Sequence, residues 1–212
     1  LNDPSAVFQI MPMLKDDSMW VRQFALNALS SLKDKAAIPE ILPLLKDKES
    51  AVREHALSAL AQFGDNTVVP DMVTLLNDKD EDVAKAALNA LVTIGDKTSL
   101  PDILSLVKSD NSLSFNGAMA FAKLSDKSSI PDILPLLESD SFNIRYNAIY
   151  MLREIGDDSA IPYILPLLND KDLHKTAEYA LIALGDKSII PDLISTYILQ
   201  LKDSSEYKKK SA

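Results

Sequence analysis

Two histidines are the side chains of this sequence best suited to general acid–base chemistry or to metal binding. His55 and His174 are the only histidines, and the chain contains no cysteine. The internal repeat described below places them four repeats apart, on the order of 40 Å if helix layers lie about 8–10 Å from each other. They are too far apart to share a metal, and disulfides and thiolate chemistry are excluded. No metal site is predicted.

Closely spaced carboxylates are the next candidates, because two of them can divide the roles of general acid and general base. The pairs fall in predicted turns next to helix starts, where aspartate often caps backbone N–H groups. They are Asp16-Asp17, Asp80-Asp82 and Asp157-Asp158. The segment Asp78-Lys79-Asp80-Glu81-Asp82 is rich in carboxylates, but it lacks the glycine and the distant glutamate of a calcium loop. Since no G-x-S-x-G turn presents a serine nucleophile, the chain is predicted to be non-enzymatic, with no cofactor.

An internal repeat positions all of these side chains. An aspartate recurs in steps of 29 to 31 residues, and a serine or threonine stands two places after it in six of seven repeats. We interpret that hydroxyl as a helix N-cap. Proline stands five places after the aspartate in six repeats, and glycine closes four of them. The recurring aspartates are Asp3, Asp34, Asp65, Asp96, Asp126, Asp157 and Asp186.

The repeat predicts helical hairpins that stack into a solenoid. The six hairpins are expected at residues 3–33, 34–64, 65–95, 96–125, 126–156 and 157–185. A helix over 186–202 is expected to cap the C-terminal end, which makes 1–202 one domain, and 203–212 to form a disordered polar tail. The fourth hairpin is one residue short before Leu113 and has Gly117 where the others have alanine. No cap precedes the first hairpin, so its exposed N-terminal end is a candidate surface for self-association.

The second hairpin shows the expected anatomy most clearly. Pro39 stands where a backbone N–H is unpaired in any helix, whereas Pro43 removes an intrahelical bond and predicts a kink. A polar link over 47–50 leads to a second helix from about Ala51 to Phe63, which ends at Gly64. The first helix carries a core-facing stripe of Ile38, Ile41, Leu42, Leu44 and Leu45.

The pattern D-x-S/T-x-I-P-x-I-L-P-L-L-x-D, followed by V-R-x-x-A-L-x-A-L-x-x-x-G-D, resembles the short HEAT-like repeats named after phycobilisome lyases. The likeness covers nearly the whole chain. It implies an all-α fold, a right-handed α-solenoid (α-α superhelix) of about six HEAT-like hairpins with a C-terminal capping helix.

The V-R pair of the pattern implies a ladder between neighbouring repeats. In HEAT-like repeats this arginine commonly bridges to an aspartate near the inter-helix turn. The expected partners are Asp16 for Arg22 and Asp47 for Arg53, and Ile144-Arg145 repeats the pair in the fifth hairpin. The ladder is expected to break where the arginine is replaced, at Ala84, Ser114 and His174.

Composition narrows the class of partner. The net charge of −9 argues against nucleic acid, because a nucleic-acid binder needs a basic face to replace counterions. No apolar stretch approaches the length of a membrane span, so no membrane partner is expected. The absence of cysteine fits a reducing compartment, and a cytoplasmic location is expected.

The candidate binding face follows from the resemblance, since the second helices of HEAT-like solenoids line the concave side. Aromatic rings beside amides in the last three hairpins have the composition of a protein-recognition hot spot. The alternative is that some of these rings pack between helices. The expected binding residues are Phe115, Asn116, Met119, Lys123, Tyr146, Asn147, Tyr150, Glu154, Lys175 and Tyr179. A secondary set comprises Phe24, Asn27, Glu54, His55, Lys85 and Asn89.

The leading hypothesis is a non-enzymatic scaffold that grips a partner protein or peptide on this concave face. The alternative, implied by the resemblance, is a bilin lyase or chromophore-handling factor in which Phe115, Tyr146 and Tyr150 stack on a tetrapyrrole. Lys123 or Lys175 would then bind its propionates. A DNA glycosylase of HEAT-like fold is disfavoured, because three lysines against two glutamates leave the face near neutral. The uneven repeats favour a natural sequence over an engineered array.

Overall fold

Each repeat folds into a short first helix and a longer second helix. The computed structural model describes residues 4–185, and that part of the chain contains twelve α-helices and no strand. The first helices are α1 (Pro4–Ile10), α3 (Ile38–Ile41), α5 (Val69–Val73), α7 (Leu100–Lys108), α9 (Ile130–Ile133) and α11 (Ile161–Ile164). The second helices are α2 (Met19–Leu32), α4 (Ser50–Phe63), α6 (Glu81–Ile94), α8 (Ser114–Leu124), α10 (Phe142–Ile155) and α12 (His174–Ala183). The predicted cap at 186–202 and tail at 203–212 lie outside the described residues.

The first helix of most repeats changes from α to 3-10 geometry partway along. α3 ends at Ile41 and the chain continues as a 3-10 helix over Leu42–Lys46. Pro43 has no N–H to donate to the preceding turn, so an intrahelical hydrogen bond is lost there. The disruption predicted at Pro43 is therefore a change from α to 3-10 geometry. α5 makes the same change at Thr74 without a second proline, so proline is not its only cause. The corresponding 3-10 segments are Met11–Lys15, Thr74–Asn77, Leu134–Glu138 and Leu165–Asn169.

In the second to sixth hairpins the recurring aspartate, and not the hydroxyl residue after it, is the N-cap. Its carboxylate accepts a hydrogen bond from the backbone N–H two places later, as Asp65 does from Thr67 at 3.1 Å. The Thr67 hydroxyl donates to the same oxygen at 2.7 Å. These bonds favour the ionised form and hold the pKa of Asp65 below its ordinary value. The interpretation of the serine or threonine as the capping acceptor was therefore wrong.

The second helices form one continuous layer. α2 packs on α4, α4 on α6, α6 on α8, α8 on α10 and α10 on α12. A single apolar cluster runs through the stack from Val7 to Leu181, with Leu57, Leu91 and Phe121 among its fully buried side chains. The predicted all-α repeat solenoid is confirmed.

Where the arginine is present, it links its hairpin to the next one along the chain. The Arg22 guanidinium donates to the carboxylate of Asp47 at 2.9 Å, and it reaches only the backbone carbonyl of Asp16, at 2.8 Å. Arg53 likewise pairs with Asp78. The expected partners were therefore one repeat too early. Arg145 extends the pattern toward Asp170, with 3.8 Å between the charged atoms.

Candidate functional site

A depression on the layer of second helices lies across α2, α4 and α6. Its volume is about 560 Å³, and we call it the polar groove. Its polar lining residues are Asn27, Glu54, His55, Ser58, Gln62, Asn89 and Thr93. Four residues of the predicted secondary set, Asn27, Glu54, His55 and Asn89, therefore share one site. A groove of this size suits a segment of polypeptide or a small molecule.

The polar groove contains hydrogen-bonding groups without protein partners. Nδ1 of His55 lies 2.7 Å from the carbonyl oxygen of Ala51, which can only accept. Nδ1 therefore carries the proton in the neutral ring, and Nε2 is left as an acceptor. The half-buried carboxylate of Glu54 forms no hydrogen bond or ion pair with any residue between 4 and 185. The groove thus offers acceptors and one uncompensated negative charge.

An aromatic cluster, defined as Phe115, Phe142, Tyr146 and Tyr150, joins α8 to α10. The Phe115 ring lies edge-on to Tyr150 with centroids 5.1 Å apart, and 6.1 Å from the Tyr146 centroid. Phe142 lies 6.1 Å from Tyr146 on its other side. Three of these rings line a depression of about 350 Å³ together with Asn111, Ser112, Ser114, Asn143 and Asn147. The structure therefore brings together three of the predicted aromatic residues.

Phe142 was missed by the sequence analysis although its ring is 44% exposed. It opens α10, before the V-R-like pair from which the face was read. The available signal was its spacing, because Phe142 stands four residues before Tyr146 and therefore on the same helix face. A search for aromatic pairs at that spacing would have found it.

Tyr150 and Asn147 are less accessible than the sequence suggested. Tyr150 is half-buried against the core, the Arg153 guanidinium lies 4.9 Å from its ring centroid, and burial raises the pKa of its hydroxyl. Asn147 is only 2% exposed, and its amide donates to the Ser114 hydroxyl at 2.7 Å. The expectation that Asn147 is an exposed binding residue is corrected: its side chain ties α10 to α8.

The remaining predicted residues spread along the layer. A narrow cleft of about 60 Å³ between α6 and α8, which we call the lysine cleft, is lined by Lys85, Asn89, Asn116, Met119 and Lys123 among others. Lys175 lines a separate depression of about 360 Å³ beside the turn before α12. Tyr179 is 62% exposed on α12, and Phe24 is 70% exposed on α2. The predicted face is therefore a row of neighbouring sites and not one cavity.

His55 lies on α4 and His174 on α12, four hairpins apart in the described layer. Between residues 4 and 185 no three histidine, cysteine, aspartate or glutamate side chains are grouped so as to hold a metal ion. Among the described helices, none has both the length and the apolar character that a membrane span requires.

The stacked hairpins and their row of surface sites define a helical-repeat protein of the solenoid class. The family profile of HEAT repeats matches residues 38–115 and 114–185, and that of the PBS lyase HEAT-like repeat matches 21–47. The chain belongs to the HEAT repeat family. Among curated proteins none matches it.

Solved structures share the fold at low sequence identity. YibA of E. coli is 20% identical with a TM-score of 0.60, and the alignment covers 92% of this chain and 76% of that one. The complex of CpcE and CpcF of phycocyanin lyase from Nostoc sp. PCC7120 is 24% identical with a TM-score of 0.50, covering 96% and 83%. A designed armadillo repeat protein in complex with the peptide (KR)4 is 19% identical with a TM-score of 0.52, covering 83% and 98%.

Proposed function

We propose that this protein is a non-enzymatic interaction module that binds an extended segment of a partner protein on the layer of second helices. The observation that carries the proposal is the aromatic cluster, whose exposed rings are held in fixed positions around a depression. Rigid aromatic side chains give a large contact area at little entropic cost, and they are enriched in interaction hot spots. An apolar side chain of the partner would occupy the depression that Phe115, Phe142 and Tyr146 line.

The shape of the layer supports an extended ligand. The polar groove and the lysine cleft share Asn89, so they follow one another across successive helices. A structural neighbour, the designed armadillo repeat protein, was solved with the peptide (KR)4. At 19% identity this likeness concerns the fold only. The predicted exclusion of nucleic acid belongs to the same proposal and rests on the net charge of −9. The predicted exclusion of a membrane partner rests on the sequence, which has no apolar stretch of spanning length.

The test is affinity capture from a lysate of the source organism, with wild type beside a Phe115→Ala/Tyr146→Ala double variant. Tyr163→Ala is a matched control, because Tyr163 is 51% exposed but lies on α11, among the first helices. We expect a partner that wild type and the control retain and the double variant loses. Equal retention by all three proteins would contradict the proposal.

A second candidate function is chromophore handling, with a tetrapyrrole stacked on Phe115 and Tyr146. The exposed rings supply a stacking surface, and Lys123 and Lys175, which form no ion pair within residues 4–185, supply cations for propionates. One structural neighbour is the CpcE–CpcF complex of phycocyanin lyase. Mixing the protein with a free bilin tests this candidate: a shifted visible absorption band that the double variant fails to produce supports it, and an unchanged spectrum rejects it.

Self-association through the N-terminal end is a separate part of the proposal, with a second copy as the occupant. Leu44 holds in the second hairpin the position that Met13 holds in the first, and it is buried by its neighbours. Met13, Trp20 and Phe24 are exposed. A second copy would cover these apolar side chains as a neighbouring repeat does in the stack. Sedimentation should then show a concentration-dependent mass that Trp20→Ser/Phe24→Ser abolishes. A constant monomer mass for the wild type would refute it.

A further inference from the structure

Ion pairs within single helices remove two charges from the candidate face. The Lys85 ammonium lies 3.2 Å from the carboxylate of Asp82 and 3.8 Å from that of Glu81 on the same helix. The Glu154 carboxylate accepts hydrogen bonds from the neighbouring Arg153 at 2.7 and 3.0 Å. Each of these charges is compensated locally, and neither is left to attract a ligand.

The charges that stay uncompensated are separated along the layer by sign. Glu54, Lys123 and Lys175 have no ion-pair partner among residues 4–185. Glu54 lies on α4 and lines the polar groove, whereas Lys123 lies in the last turn of α8 and Lys175 in the first turn of α12. The near-neutral face predicted from composition is therefore a face with a negative end and a positive end.

The negative end can bind more than a bare charge. The amides of Asn27, Gln62 and Asn89 line the same groove as the Glu54 carboxylate, and Nε2 of His55 is an acceptor. Amides donate and accept, as the backbone of an extended peptide requires, while the carboxylate and the imidazole favour a lysine or arginine side chain. Partial burial strengthens the attraction, because water screens the charge less than on an open surface.

The positive end lies at a distance that an extended peptide can span. Helices α4 and α8 are two packing steps apart, about 16–20 Å. Phe115 holds on α8 the repeat position that Glu54 holds on α4. Lys123 follows Phe115 by two helical turns, which is about 12 Å along the helix axis. The diagonal is about 20–23 Å, which about six or seven extended residues cover. Met119 lies on α8 beside that path, one helical turn before Lys123, and Phe115 lies one turn earlier on the same helix.

We propose that the face binds an extended peptide segment of mixed charge, with its basic residue over α4 and its acidic residue over α8. A lysine or arginine of the segment pairs with Glu54 in the polar groove, and an acidic residue about six or seven positions away pairs with Lys123. An apolar side chain of the same segment contacts Phe115. This inference rests on the proposed function and adds the charge pattern of the partner.

The test is selection of peptides from a random phage-displayed library, with composition at each position as the readout. Wild type, Glu54→Lys and Glu138→Lys are screened in parallel. Glu138 is the matched control, since it is exposed on a 3-10 segment of a first helix, has no ion pair within 4–185, and undergoes the same charge change. We expect wild type and Glu138→Lys to enrich a basic and an acidic position at the stated spacing. Glu54→Lys should lose the basic preference and bind wild-type peptides about tenfold more weakly.

Three outcomes separate this inference from the proposed function. Peptides enriched with the paired charges, and sensitive to Glu54→Lys alone, support it. Peptides that need Phe115 and Tyr146 but show no charge preference overturn the inference and leave the proposed function standing. If no peptide is enriched over the Phe115→Ala/Tyr146→Ala variant, both are overturned.

Discussion

Arg53 of α4 donates two hydrogen bonds, at 2.7 and 2.8 Å, to the carboxylate of Asp78 in the following hairpin. Both side chains are almost entirely buried. A third bond, from the same guanidinium to the backbone carbonyl of Asp47, fixes its position beside the turn of its own hairpin. One side chain thereby sets the stacking of two repeats.

The partners of this ladder are lost together along the chain. The acceptor stands two residues after the last apolar residue of each first helix, where Ser109 and Ser139 replace aspartate. These are the two hairpins that follow Ala84 and Ser114, which replace the arginine. A buried carboxylate without its cation is costly, which explains why both members change. Between α8 and α10 the neutral Asn147–Ser114 hydrogen bond takes over the link.

The first prediction concerns this ion pair. Arg53→Ala should lower the free energy of unfolding by about 3–5 kcal/mol, because it leaves the Asp78 carboxylate buried beside no cation. Adding Asp78→Ser reproduces the combination found at Ala84 and Ser109 and should recover at least about 1 kcal/mol. Urea denaturation of the four proteins of this double-mutant cycle measures both values. Strictly additive effects would show that the pair is not coupled.

A second prediction concerns Asn147, which the sequence suggested as a binding residue. Asn147→Ala should lower the free energy of unfolding by about 1–3 kcal/mol, since it removes a buried hydrogen bond and leaves a void between α8 and α10. Asn116→Ala is the control, because Asn116 occupies the same position one repeat earlier, is half-buried and makes no hydrogen bond within 4–185. Asn116→Ala should change the free energy of unfolding by no more than about 0.5 kcal/mol. Equal effects would contradict the assigned role.

The fold could be predicted from the sequence because the determining signals are local and recur. Three signals act within one hairpin and recur along the chain. They are proline near the start of the first helix, glycine after the second helix, and apolar residues at helical spacing. The stack then follows, since a hairpin cannot bury its apolar stripe alone.

The details that failed depend on contacts between repeats. The sequence alone does not distinguish Asp16 from Asp47 as the carboxylate partner of Arg22. The packing of α2 on α4 selects Asp47. Asn147 occupies the same repeat position as His55, yet it is buried because Ser114 stands opposite and offers a hydroxyl. Such contacts join residues about thirty positions apart, and a single sequence carries no local pattern for them.

The third prediction is an acid sensitivity that arises at the caps. The Thr67 hydroxyl and N–H hold the pKa of Asp65 below its ordinary value of about 3.9. A lowered folded-state pKa contributes stability that is present above the unfolded value and lost as pH falls through the folded value. The Tm should therefore drop below about pH 4, and less steeply in Asp65→Asn. Asp140→Asn is the control, because the Asp140 carboxylate accepts no hydrogen bond within 4–185. Parallel curves for Asp65→Asn and wild type would contradict this.

The fourth prediction concerns Gly117 in the shortened hairpin. A Cβ added there would stand 3.2 Å from Cγ2 of Val107 and 3.5 Å from Cδ2 of Leu106, so α8 approaches α7 closely at this point. Alanine is the better helix former by about 1 kcal/mol, but overpacking against a stiff valine costs about 1–3 kcal/mol. Gly117→Ala should therefore lower the Tm slightly. A raised Tm would show that Val107 shifts at no cost.

The last prediction tests Phe142, which the sequence analysis did not single out. Its ring contacts Tyr146, and both line the same depression, so it should contribute to partner binding as Tyr146 does. For peptides selected on the wild type, Phe142→Ala should raise the Kd about fivefold to thirtyfold, the range of about 1–2 kcal/mol expected for an anchoring ring. Phe142→Tyr keeps the ring and should restore most of the affinity, whereas Tyr163→Ala should leave it unchanged. Calorimetric titration of the three variants gives the comparison. If Phe142→Ala binds like wild type, the anchor is confined to Phe115 and Tyr146.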